Sequence, residues 1–126
     1  MPWFLLLLGI LAVAAWGITR LGSVSAVEAR AMLQDGAVVL DVRTPGEFAA
    51  NALPGTINVP LDHLHAHVAS VVPDPATPVL LHCQSGGRSG LACKMLRRMG
   101  YARVGNLGSL ARAAAILNGA PRSRGS

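Results

Sequence analysis

Cysteine, acid and aromatic side chains are all scarce in this chain, and each shortage closes a class of function. Two cysteines in 126 residues do not make a disulfide framework, so the fold must rest on a core. Eleven Lys and Arg face only six Asp and Glu, a net charge of +5. The basic residues Arg88, Lys94, Arg97, Arg98 and Arg103 cluster, but with aromatics at 4% nothing interleaves them as a nucleic-acid surface requires. No nucleic-acid partner is expected; steering of small anions accounts for the same charges. His63, His65 and His67 alternate, and on a helix only His63 and His67 share a face. No carboxylate or cysteine stands at a third ligand spacing, so no metal site is expected.

Charge is missing altogether from Trp3 to Ile18, and Phe4 to Ala15 is apolar throughout. A helix here would be hydrophobic all round, which suits lipid or a secretion channel. Met1 to Thr19 would span about 28 Å at about 1.5 Å per residue, close to the hydrocarbon core of about 30 Å. Trp3 and Trp16 lie where interfacial anchors belong. Residues 1–20 are therefore expected to be one transmembrane anchor. The alternative is a cleaved signal peptide, with Val24-Ser25-Ala26 as a small-residue cleavage site; against it, no basic region precedes the apolar run. Arg20 flanks the span on its C-terminal side. The positive-inside rule then gives a single-pass protein of a bacterial-type inner membrane with a cytoplasmic domain, the periplasmic side being the alternative.

After a linker at 21–24, about 100 residues remain, enough for one domain with its own core. Ser25-Ala26-Val27-Glu28 reads as a capping box opening a helix to Gln34, with Val27, Ala31 and Leu33 or Met32 available to face a core. Ala37 to Leu40 is a short apolar run of the kind found in strands buried on both faces, ended by Asp41. Thr44-Pro45-Gly46-Glu47 is a second capping box, opening a short helix that carries Phe48 toward the core. Thr56 to Val59 makes a brief strand, Asp62 is placed to cap the next helix, and the proline-rich stretch Pro73 to Pro78 forbids regular structure. Tyr101 to Leu107 supplies the last strand and Ser109 to Leu117 an Ala-rich helix. Strands alternating with helices call for an α/β fold, a mostly parallel central sheet with helices on both faces, over residues 25–118. The basic end of the chain, 119–126, is expected to be disordered.

The chemistry gathers at Val79-Leu80-Leu81-His82-Cys83-Gln84-Ser85-Gly86-Gly87-Arg88-Ser89-Gly90. A strand stops at a cysteine, a loop of small residues follows, and a helix runs from about Leu91 to Met99. Such a loop turns backbone N–H groups and a positive helix end toward the sulfur, which favours the thiolate. Arg88 adds a permanent charge at the rim. Asp41 and Cys83 both stand at carboxyl ends of strands and should lie near each other, Asp41 in a structural role. Cys93 falls inside the helix after the loop, where a buried small residue is expected in preference to a resolving thiol.

The loop Cys83 to Ser89, with Asp41-Val42-Arg43-Thr44-Pro45-Gly46-Glu47-Phe48 and Leu53-Pro54-Gly55-Thr56-Ile57-Asn58-Val59-Pro60 upstream, resembles a single-domain rhodanese, a sulfurtransferase module. The resemblance covers everything from Ser25 to Leu117. It implies that Cys83 takes a sulfane sulfur from thiosulfate or a persulfide donor and hands it to a small thiol, cyanide or a protein thiol. It implies no metal or organic cofactor, a binding loop of Gln84, Ser85, Gly86, Gly87, Arg88 and Ser89, and structural support from Asp41 and Arg43. Two departures stand out: Asn51-Ala52 replaces the usual Gly-His, and Asn106 to Ala114 lacks the usual Gly-Gly and tryptophan. The alternatives are a membrane-tethered binding or sulfur-carrier module without catalysis and, more remotely, a cysteine phosphatase or arsenate reductase. Spacing disfavours the last, because the loop between Cys83 and Arg88 is one residue shorter than in phosphatases of this type.

Overall fold

The computed structural model describes residues 22–119. The expected anchor at 1–20 and most of the tail at 119–126 lie outside them, and among the described residues no helix is long and apolar enough to cross a membrane. The chain runs through α1 (Ala26–Gln34), β1 (Val38–Asp41), α2 (Pro45–Ala50), β2 (Ile57–Asn58), a 3-10 turn (Leu61–His63), α3 (Leu64–Val71), β3 (Val79–His82), α4 (Gly87–Arg98), β4 (Val104–Gly108) and α5 (Leu110–Gly119). The strands form one sheet in the order β2-β1-β3-β4. Every pairing is parallel.

Alternation along the strands divides the core between the two faces of the sheet. Leu40 and Leu81 pack with Val68, Ala92, Cys93 and Leu96, so α3 and α4 cover one face. Val39 and Leu80 pack with Ala29, Met32, Ala113, Ile116 and Leu117, so α1 and α5 cover the other. With both faces covered, the strands read as continuous apolar runs. Truncating any of the fully buried leucines Leu40, Leu80 or Leu81 to alanine should destabilise the domain by about 2–5 kcal/mol.

Several local expectations shift. In α1 the Ser25 hydroxyl accepts from Glu28 N–H, but the inward stripe is Ala29, Met32 and the partly buried Leu33. Val27 is 78% exposed and Ala31 is exposed as well, because neither shares the i, i+3, i+4 row with Ala29. The box at the start of α2 is complete: Thr44 Oγ1 accepts from Glu47 N–H and Glu47 Oε1 from Thr44 N–H. Phe48 is only half-buried. Asp62 caps nothing. Pro60 leads straight into the 3-10 turn, so Asp62 falls inside it and α3 begins after His63 without a side-chain cap. His63 and His67 do meet, ring centroids 5.7 Å apart, and among the described residues no group of three ligand side chains gathers.

The stretch read as a linker is partly built into the sheet. Val24 N–H donates to Asn106 C=O at 2.9 Å, and Arg112 donates to Val24 C=O at 2.6 Å and to Leu107 C=O at 2.8 Å. The last strand starts later than expected, at Val104, and its register with β3 slips between Leu81 and His82: Leu81 pairs with Asn106, but His82 with Gly108. A slip of this kind re-aims the strand end, here toward the loop after Cys83.

Candidate active site

Cys83 follows directly on β3 and is fully buried. Its N–H donates to Gly108 C=O at 3.2 Å, which fixes the cysteine against the end of β4. The loop then turns back sharply at Gly86, whose φ is 102°. A side chain there would be strained by that angle, and a Cβ would stand 3.4 Å from the Cα of Gly108. The two glycines therefore let loop and strand approach. Helix α4 begins at Gly87, four residues earlier than its apolar run suggests, so its first turn is itself the second half of the loop. The orphan N–H groups of a helix start and those of the loop converge on one point.

That point is the sulfur. Gly86 N–H donates to Cys83 Sγ at 3.0 Å, while Ser89 N–H and Ser89 Oγ each lie 3.5 Å from it. Burial pushes the Cys83 thiol up, but the Ser89 hydroxyl and the N–H groups of Ser89, Gly86 and Ser85 outweigh burial and hold it below the ordinary thiol value. Cys93 has burial without such donors: it is 3% exposed and, with only Arg97 opposing, is pushed up to about 12. One thiol of the two is prepared to ionise.

Behind the loop lies a buried ion pair. Arg43 is 1% and Asp41 0% exposed. Arg43 Nε lies 3.0 Å from both carboxylate oxygens, and Nη2 donates to Oδ2 at 2.7 Å. The guanidinium also donates to Asn51 Oδ1 and Asn51 C=O, each at 3.0 Å, and reaches Gln84 Oε1 at 3.4 Å. Asn51, a departure from the rhodanese pattern, is thus part of this network. Through Gln84 the network touches the residue next to Cys83. His82 completes the surroundings. It is fully buried, its Nε2 is 3.7 Å from Asp41 Oδ2 without a hydrogen-bond partner, and its Nδ1 is 3.4 Å from Cys83 C=O. Desolvation, only partly opposed by Asp41, lowers its pKa from 6.5.

At the rim Arg88 is not free. Its guanidinium makes a two-pronged bond to Glu47, Nη1 to Oε1 at 2.6 Å and Nη2 to Oε2 at 3.0 Å. Arg88, with the Thr44 N–H next, holds the Glu47 carboxyl down at about 2. The sequence suggested only a capping role for Glu47. Beside this pair opens a recess of ≈ 370 Å³ bounded by Val42, Thr44, Pro60, Leu61, Asp62 and Arg88. A second side chain unseen in the sequence is Asn106. Its Oδ1 lies 2.7 Å from Ser89 Oγ and 2.8 Å from Gly108 N, and its Nδ2 donates to Gly86 C=O at 3.2 Å.

The strand-end cysteine in its ring of donors lies inside residues 25–111, which the family described as the rhodanese-like domain matches. The chain belongs to the rhodanese-like domain family. It is 38% identical over 71 residues to thiosulfate sulfurtransferase PspE of Escherichia coli (strain K12), a match covering 56% of this chain and 68% of that protein. It is 36% identical over 99 residues to thiosulfate sulfurtransferase 18 of Arabidopsis thaliana, covering 68% and 72%. Among solved structures, a rhodanese with anions from E. coli superposes with a TM-score of 0.59 at 35% identity, over 61% of this rhodanese-like chain and 91% of that one. The human single-domain sulfurtransferase TSTD1 gives 0.61 at 28% identity, over 74% and 95%.

Proposed function

We propose that Cys83 carries the sulfur in this protein. By family it is a sulfurtransferase of the rhodanese type; the assignment of the step to Cys83 is the further reading. The Cys83 thiolate attacks the outer sulfur of thiosulfate or of a similar donor. A new S–S bond forms, the bond to the sulfonate sulfur breaks, and sulfite leaves with that electron pair. The persulfide on Cys83 then loses its outer sulfur to a thiol, to cyanide or to a protein thiol, which regenerates the thiolate. The loop N–H groups would hold the anionic sulfur in both states. The observation that carries the proposal is the convergence of Gly86 N–H, Ser89 N–H and the Ser89 hydroxyl on a buried sulfur within 3.5 Å.

Incubation with thiosulfate followed by intact mass tests it. A gain of one sulfur, about 32 Da, on Cys83 and its removal by dithiothreitol is the expected result of a loaded covalent intermediate. Absence of that adduct in an otherwise folded protein would refute the assignment.

The uncharged stretch at residues 3–18 supports a second part of the proposal: it tethers the domain to a membrane, with Arg20 favouring the cytoplasmic side. Retention of the full chain in membranes through carbonate washing is expected. A processed, soluble protein recovered from the periplasm would overturn it.

A further inference from the structure

The Ser89 hydroxyl has one proton and three acceptors within reach. Asn106 Oδ1 is 2.7 Å away, Gly86 C=O 3.2 Å and Cys83 Sγ 3.5 Å. The orientation of the Asn106 amide is decided by its other neighbours. Gly108 N–H can only donate and faces Oδ1 at 2.8 Å, while Gly86 C=O can only accept and faces Nδ2 at 3.2 Å. Asn106 therefore accepts from Ser89 and cannot donate to it. The hydroxyl proton cannot serve Asn106 and the sulfur at the same time. Ser89 is fully buried and Asn106 is 6% exposed, so water does not readily make up the difference.

We propose that Asn106 is a positioning residue for Cys83: it holds the Ser89 hydroxyl proton while the cysteine is a thiol and releases it to the sulfur when the cysteine ionises. In the thiol state S–H points to the Ser89 oxygen and the hydroxyl points to Asn106. In the thiolate state the thiol proton has gone to solvent, and the hydroxyl turns to Sγ. Asn106 Oδ1 keeps Gly108 N–H, so it is never left bare. Asn106 pairs in regular register with Leu81, and the slip that follows sets Gly108, the second donor to that oxygen, opposite His82. The charged and titratable groups around the thiol are His82 beside it, Asp41 and Arg43 at the end of β1, and Arg88 on α4. All of them are untouched in the variants below.

The inference rests on Cys83 being the reactive thiol, but its test reads ionisation and not sulfur transfer, so the two can fail separately. Thiolate absorbance of the full chain is followed against pH, with Cys83→Ser as the blank. Ser89→Ala should raise the midpoint by removing a donor. Asn106→Ala should lower it, by at most about 1 unit, because Gly86 C=O, 3.2 Å from the hydroxyl, takes over part of the competition. In a Ser89→Ala background Asn106→Ala should shift nothing. A merely structural role predicts the opposite, because a loosened loop would raise the midpoint with or without the hydroxyl; either of those results overturns the proposal. If Asn106→Ala does not fold, Asn106→Asp decides. It keeps Oδ1 and strengthens it as an acceptor, so it should raise the midpoint more when Ser89 is present than in Ser89→Ala. An equal rise in both would refute the switch.

Discussion

Removing Arg43 should do more damage than any change at the surface of this domain. The side chain is 1% exposed, and its guanidinium bonds both oxygens of a carboxylate that is 0% exposed, as well as Asn51. Arg43→Met keeps most of the volume but leaves Asp41 as a buried charge with only the Arg43 backbone N–H and a distant His82. Breaking a buried pair from one side costs about 3–5 kcal/mol, whereas replacing both partners with uncharged groups of similar shape is often neutral. At a urea m-value of about 1.5 kcal/mol/M, the single variant should lose about 2–3 M of its unfolding midpoint. The companion variant, Asp41→Asn with Arg43→Met, should recover at least half of the loss. Equilibrium urea unfolding by circular dichroism is the assay, and the m-values must agree for the comparison to hold. A loss below about 1 kcal/mol, or a double variant no more stable than the single one, would refute the view that the penalty lies in an uncompensated buried charge.

Three further outcomes follow from the same geometry. Cys83→Ser should abolish sulfur transfer while Cys93→Ser retains most of it, because Cys93 is held near 12 by burial and lacks donors; equal losses in a persulfide assay would contradict this. Arg88→Ala should raise the KM for thiosulfate more than it lowers kcat, and Glu47→Gln should lower that KM by about two- to five-fold, the range expected when a half-exposed pair stops competing for the guanidinium. Gln keeps the oxygen that accepts from Thr44 N–H at 2.9 Å, so α2 should stay capped; a KM that rises in Glu47→Gln would mean that the pair shapes the site rather than restraining Arg88. His82 has a folded pKa below its ordinary 6.5, so the unfolded chain binds the proton first. Stability should therefore fall as pH drops through 6.5 toward the folded value, and thermal melts of His82→Gln should show a flatter dependence over that window.

Local signals made much of the protein legible. The box Thr44 to Glu47 is set by contacts three residues apart, and the apolar runs ending at Asp41 and Cys83 reflect strands buried on both faces. The order strand, cysteine, small-residue loop and arginine marks the site because those residues are neighbours in the chain. Where one residue type serves two purposes, sequence position misleads. Val27 has core chemistry but stands off the stripe of α1, and Asp62 has cap chemistry but lies inside a turn begun by Pro60.

What tertiary structure alone decided are the contacts that cross the chain. Arg88 meets Glu47, and Arg43 reaches Gln84, across a separation of 41 residues each. Ser89 and Asn106 are 17 apart and meet only because α4 packs against β4. A carboxylate or an amide carries no local mark of the partner it will find, since pairing depends on which strand lies next in the sheet and on where a helix starts. The Cys83 loop is a property of one stretch of sequence; the charge balance and the proton around its thiol are properties of the packed sheet.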